Sequence, residues 1–105
     1  MTARLGVVIA TGPETGDLGH VAALAHAARR RGIPVSIFAM HRGVLALAAA
    51  PAVIAALHDA GCDLVGCATS ADAHGVDLAV LGVVAGSQDD HAAFTDHRHR
   101  VVAFT

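Results

Sequence analysis

The sequence predicts a doubly wound, three-layer α/β domain built on a mostly parallel, five-stranded sheet. Three observations carry this prediction. Short, continuous apolar runs rich in β-branched residues mark strands buried on both faces, which is the habit of parallel sheets. Segments with helical spacing alternate with those runs through short connections. The 105 residues are enough for one domain, residues 1–105, and too few for two.

Leu5 to Ala10 (LGVVIA) is the first such run, and Thr11-Gly12-Pro13 breaks it. A helix follows, with Thr15 or Asp17 as the expected N-cap. Its apolar positions Val21, Leu24, Ala25 and Ala28 repeat at i, i+3, i+4 and i+7, the spacing of one buried face. Arg29, Arg30 and Arg31 suit the negative end of its dipole, and Gly32 fits the C′ position beyond it. Pro34 to Met40 reads as the second strand, with proline tolerated at its first position. His41-Arg42-Gly43 turns the chain into a short helix over Val44 to Ala49. Pro51 fits the first turn of a further helix reaching about Ala60, which Gly61 closes. Asp63 to Cys67 is the third strand, and Ala68 to His74 a helical turn ended by Gly75. Leu81 to Ala85 is expected as the fourth strand. A helix N-capped by Ser87 follows, with Asp89 and Asp90 in its first turn, and Arg100 to Phe104 is the last strand.

Composition excludes several functions. The chain has no lysine, so it carries neither a P-loop lysine nor a Schiff-base lysine, nor the lysine that receiver domains place beside their phosphorylated aspartate. Without Trp or Tyr, no such ring flanks a flavin, even in a flavodoxin-like fold. The net charge of −2, with three consecutive arginines as the one basic run, gives no footprint for nucleic acid. The longest low-polarity stretch, Gly43 to Leu57, is short and interrupted by Pro51, so no membrane span is expected. The N-terminal apolar run has the length of a strand and no cleavage site, which points to a cytoplasmic chain. Two cysteines in such a chain point to free thiols.

Open parallel sheets bind ligands beyond the carboxyl ends of their strands. Thr11-Gly12, His41-Arg42 and Cys67 all emerge there. Cys67 also lies where a strand yields to a helix, where the dipole lowers a thiol pKa. The competing reading is a small buried hydrophobe. Cys62 precedes Cys67 by five residues of strand, ~16 Å at ~3.3 Å per residue, and an odd spacing puts them on opposite faces. A dithiol pair is thereby disfavoured, and Cys62 reads as structural. His41 and His74 could stabilise a thiolate or serve as acid and base, or be exposed loop residues. Arg42 could bind an anion or be a solvated charge, and Thr11-Gly12 loosely resembles an anion-binding loop. His91, His97 and His99 come nearest to a zinc cluster but are better read as surface histidines, so no metal and no cofactor is expected.

These segments together resemble the DsrE/DsrF-like family, which includes TusD-type and YchN-type sulfur-relay proteins. The resemblance runs nearly end to end, through Thr11-Gly12-Pro13, Gly32 to Phe38, Met40 to Val44, Ala60 to Cys67, Gly86-Ser87 and Arg100 to Phe104. Its most specific part is Cys67 followed by His74-Gly75-Val76. The resemblance implies a DsrE-like fold and a persulfide carried on Cys67. It also implies partners that donate and accept sulfur, and assembly into trimers, hexamers or hetero-oligomers. Relatives often have arginine where His74 stands, and those with Cys-x-x-Cys have a second cysteine where Ser70 stands. Two functions are therefore expected: a sulfurtransferase or sulfur carrier acting through Cys67, or a non-enzymatic oligomeric module binding a small ligand or partner, with Cys67 inert.

Overall fold

The computed structural model describes residues 4–87 and 99–105. Five strands, β1 (Arg4–Ile9), β2 (Val35–Ala39), β3 (Asp63–Cys67), β4 (Val84–Gly86) and β5 (His99–Phe104), form one sheet in the order β4-β3-β2-β1-β5. All four pairings are parallel. The chain walks outward from β1 to β4, then returns across the sheet to place β5 on the other side of β1. Four helices connect the strands: α1 (Asp17–Arg30), α2 (Gly43–Ala48), α3 (Pro51–Asp59) and α4 (Ala68–His74).

Register sorts the strand residues onto two faces. Val7, Ile9, Val35, Ile37, Ala39 and Leu64 share the face that meets Leu18, Val21, Ala25 and Ala28 of α1 and Ile54 and Leu57 of α3. The predicted i, i+3, i+4 stripe of α1 is thus its buried face, except that Leu24 is only partly buried. Fully buried side chains such as Val21, Ile54 and Leu57 each contribute roughly 1.5–3 kcal/mol of transfer free energy. The opposite face carries Val8 and Phe38, both buried, and Cys67 at the end of β3.

Most element boundaries lie within one or two residues of the sequence reading, and two details differ. Gly16, not Thr15 or Asp17, is the N-cap of α1; it adopts φ +74°, and a single 3-10 turn over Pro13–Thr15 precedes it. The Thr15 hydroxyl still accepts the Asp17 amide at 3.1 Å, so it serves the helix start from one position further out. The fourth strand is Val84–Gly86 rather than Leu81–Ala85. Asp77 Oδ1 accepts the amides of Ala79 and Val80, and Gly82 takes φ +71°, so Leu81 and Gly82 are spent in a turn before pairing begins. The helix expected after Ser87 falls outside the described residues. At the other end of α1 the expectation holds: Gly32 has φ +75°, its amide donates to Arg29 and that of Ile33 to Ala28, closing a Schellman-type end.

Candidate functional site

The carboxyl ends of β1, β2 and β3 lie along one edge, and each feeds a different local structure. After β2, His41 adopts φ +49°, the one non-glycine residue with positive φ among the described residues. A residue so held costs free energy that the surroundings must supply. The turn is tight because α2 begins directly over the end of β1. Gly43 sits against the Ile9 carbonyl so closely that any Cβ there would overlap it. After β3 the chain enters α4 without a loop, with Cys67 itself at the N-cap in extended conformation (φ −66°, ψ 118°).

A pocket of about 630 Å³ opens at this edge. It is lined by Cys67, by Thr69, Ser70 and His74 of α4, by His41, and by Gly86 and Ser87 at the end of β4. That size suits a small ligand or an inserted segment of chain. Cys67 forms part of its floor and is only 5% exposed, whereas His41 and His74 stand exposed around it. The pocket therefore lies over β3, not over the β1–β5 boundary where the strand order reverses.

Cys67 experiences two opposed influences. Burial raises its pKa, but the Ser70 hydroxyl and the backbone amides of Ser70 and Thr69 outweigh burial and hold the thiol below its ordinary value of 9.0. These groups all come from the first turn of α4, whose free amides point back at the capping residue. Ser70 is fixed in turn from across the edge, its hydroxyl oxygen accepting the His41 amide at 2.9 Å.

The structure brings three of the six residues singled out by sequence, Cys67, His41 and His74, to one pocket. Of the other three, Thr11 and Gly12 belong to the loop after β1, and Arg42, in the β2–α2 turn, bonds to Glu14 of that loop. Arg42 donates to both carboxylate oxygens of Glu14 at 3.0 Å, and both side chains are largely exposed. A backbone hydrogen bond at Glu14, and then the Arg42 pairing, hold its carboxyl below the usual carboxylate range. Gly12 lies against the ion pair, and a Cβ there would require the exposed ends of Glu14 and Arg42 to shift. Thr11 donates to Asp17 Oδ2 at 2.6 Å, tying the end of β1 to the start of α1. Ser70 went unmarked in the sequence as a functional group, although Cys67-x-x-Ser70 has the N-cap to N3 spacing at which side chains and amides meet.

Cys62 lies at the far end of β3, buried in the core beside α3. Both cysteines are free, as the strand spacing predicts. Among the described residues no three His, Cys, Asp or Glu side chains are close enough to hold a metal ion; His91 and His97 lie outside those residues. No described helix is long and apolar enough to cross a membrane.

Solved structures share this architecture. BT1422, a conserved protein of unknown function from Bacteroides thetaiotaomicron, superposes with a TM-score of 0.83 at 15% identity, covering 96% of this chain and 94% of its own. The ychN protein from E. coli superposes with a TM-score of 0.74 at 20% identity, covering 96% and 99%. No curated protein matches the sequence. The model of the DsrE/DsrF-like family matches residues 3–104, the full extent of the sheet and the pocket, and the chain belongs to that family.

Proposed function

We propose that this chain is a sulfur-relay protein in which Cys67 accepts sulfane sulfur and passes it to a partner thiol. The observation that carries the proposal is the position of Cys67: a thiol of lowered pKa on the floor of a pocket at the ligand-binding edge of a DsrE-like sheet. The Cys67 thiolate attacks the terminal sulfur of a donor persulfide, the donor S–S bond breaks, and the donor leaves as a thiolate. Cys67 then carries the outer sulfur until an acceptor thiolate attacks it and regenerates the Cys67 thiolate. The sulfur changes hands without net oxidation, and no metal or organic cofactor enters this sequence of steps. His41 and His74 supply hydrogen-bond donors around the pocket, and partner proteins act as donor and acceptor. The family resemblance adds an oligomeric assembly of like or related subunits.

The test is intact-mass measurement after incubation with a low-molecular-weight persulfide. Wild type is expected to gain one sulfur atom and Cys67→Ser none. No gain in wild type, or an equal gain in the variant, would overturn the proposal.

The low exposure of Cys67 favours a second reading, a binding module in which the thiol is inert. Thiol titration of the native protein separates the two. Slow labelling of Cys67, at the pace of an ordinary thiol, supports the module, and rapid labelling at near-neutral pH supports the relay.

A further inference from the structure

Ser70 occupies an unusual position between two chain segments. Its hydroxyl has one proton to donate and lone pairs to accept. One lone pair is taken by the His41 amide at 2.9 Å. That bond fixes the oxygen from the β2–α2 turn, while the Ser70 backbone is fixed in α4. Cys67 is the N-cap of α4 and Ser70 lies three residues on, in its first turn, and both line the same pocket. The turn that aims the His41 amide is itself costly, with φ +49° at a residue bearing a Cβ.

From this geometry we infer that Ser70 is a positioning residue, a hydroxyl held by the His41 amide so that its proton is directed at the Cys67 sulfur. The inference rests on the reading of Cys67 as the reactive thiol and assigns the group that readies it. With one lone pair taken by the His41 amide, the hydroxyl proton is left to donate to the sulfur. A thiolate, or the negatively charged outer sulfur of a persulfide, gains from such a donor more than a neutral thiol does. The lowering of the Cys67 pKa, to which the Ser70 side chain is the largest favourable contributor, agrees with this direction. Serine at this place thus makes a one-thiol site, in which residue 70 serves the sulfur without becoming a second sulfur itself. The other titratable groups facing the pocket are His41, from the β2–α2 turn, and His74, from the end of α4; no carboxylate lines it among the described residues.

The experiment is the pH profile of Cys67 alkylation by iodoacetamide, followed by peptide mass mapping in wild type, Ser70→Ala and Ser70→Thr. Alanine is a stronger helix former than serine, so Ser70→Ala retains α4. In Ser70→Ala the profile is expected to move to higher pH, with the rate at near-neutral pH falling about tenfold, the worth of one hydrogen bond to a charged group. Its high-pH plateau does not fall, because every thiol there is ionised and the more basic thiolate is the better nucleophile. Ser70→Thr keeps the hydroxyl and restores the wild-type profile. An unmoved profile in Ser70→Ala, or a rate lowered equally at every pH, overturns the inference. The alkylation readout needs no sulfur donor, so it succeeds or fails independently of the relay itself. If wild type alkylates as proposed yet gains no sulfur, the relay reading falls while the role of Ser70 stands.

Discussion

Cys62 stands just before β3 and Cys67 at its end, each 5% exposed, and their surroundings drive the two thiols in opposite directions. For Cys62, desolvation dominates and raises the pKa, with Arg29 opposing and Asp63 adding to the rise. For Cys67, desolvation is outweighed by a hydroxyl and two amides. The lesson is that equal exposure does not mean equal chemistry. Cys62 lies deeper and is more strongly desolvated, and the local backbone differs as well. The chain approaches Cys62 from the end of α3, whose Leu57 carbonyl takes the Cys62 amide, so this end of the strand offers the sulfur no ring of donors. The chain leaves Cys67 directly into α4, whose first-turn amides have no helical partners.

The largest effect that would break this comparison is on reactivity. In the native protein at near-neutral pH, Cys67 is expected to alkylate at least about tenfold faster than Cys62, because the thiolate is the reacting species. Peptide mapping of partially labelled protein measures both sites in one sample. Equal rates would mean that the α4 turn does nothing for its sulfur.

Stability should show the opposite ranking. Cys62→Ser places a hydroxyl in the apolar core and is expected to cost about 1–3 kcal/mol. Cys67→Ser puts a favoured N-cap residue at the N-cap of α4 and should leave stability within about 0.5 kcal/mol of wild type. Denaturant unfolding of the two variants checks both. A larger loss from Cys67→Ser would make Cys67 the structural thiol of the pair.

The pH dependence of stability sharpens the contrast further. The Cys67 pKa is lower in the folded state than its ordinary 9.0, so folding favours the thiolate. Its contribution is present above pH 9.0 and lost as pH falls through the folded pKa. The Cys62 pKa is raised above 9.0, so folding favours the thiol. Its contribution is present below pH 9.0 and lost as pH rises toward the folded pKa. Removing Cys62 as Cys62→Ala should therefore flatten the alkaline decline in unfolding midpoint, and Cys67→Ser should not. The smallest effect is expected at the exposed Arg42–Glu14 pair. Glu14→Gln should leave both the thermal midpoint and the Cys67 alkylation rate unchanged, since Arg42 does not line the Cys67 pocket. A faster Cys67 in that variant would bring Arg42 into the site.

Much of this was legible in the residues. The apolar runs at Leu5, Val35 and Leu64 are buried strands because parallel sheets leave no face for polar alternation. The separation of the two cysteines followed from strand geometry alone and holds, with Cys62 on the helix-covered face and Cys67 on the other. The fourth strand was misplaced because an apolar run carries no sign of where pairing starts; the Asp77 carboxylate and the left-handed Gly82 decide that, and they act through the turn before it. The candidate site was legible down to its cysteine and two histidines. The separation of Arg42 from that pocket was not, because its partner Glu14 lies 28 residues away and meets it only once β1 and β2 are paired. The same holds for Ser70, whose tie to His41 spans 29 residues.

In the proposed relay, one of the two buried thiols carries sulfur and the other does not. That difference is tested most directly by exposing the wild-type protein to a persulfide donor and mapping both cysteine peptides in the same digest. One added sulfur atom is expected on the peptide bearing Cys67 and none on that bearing Cys62. Sulfur on Cys62, or equally on both, would contradict it.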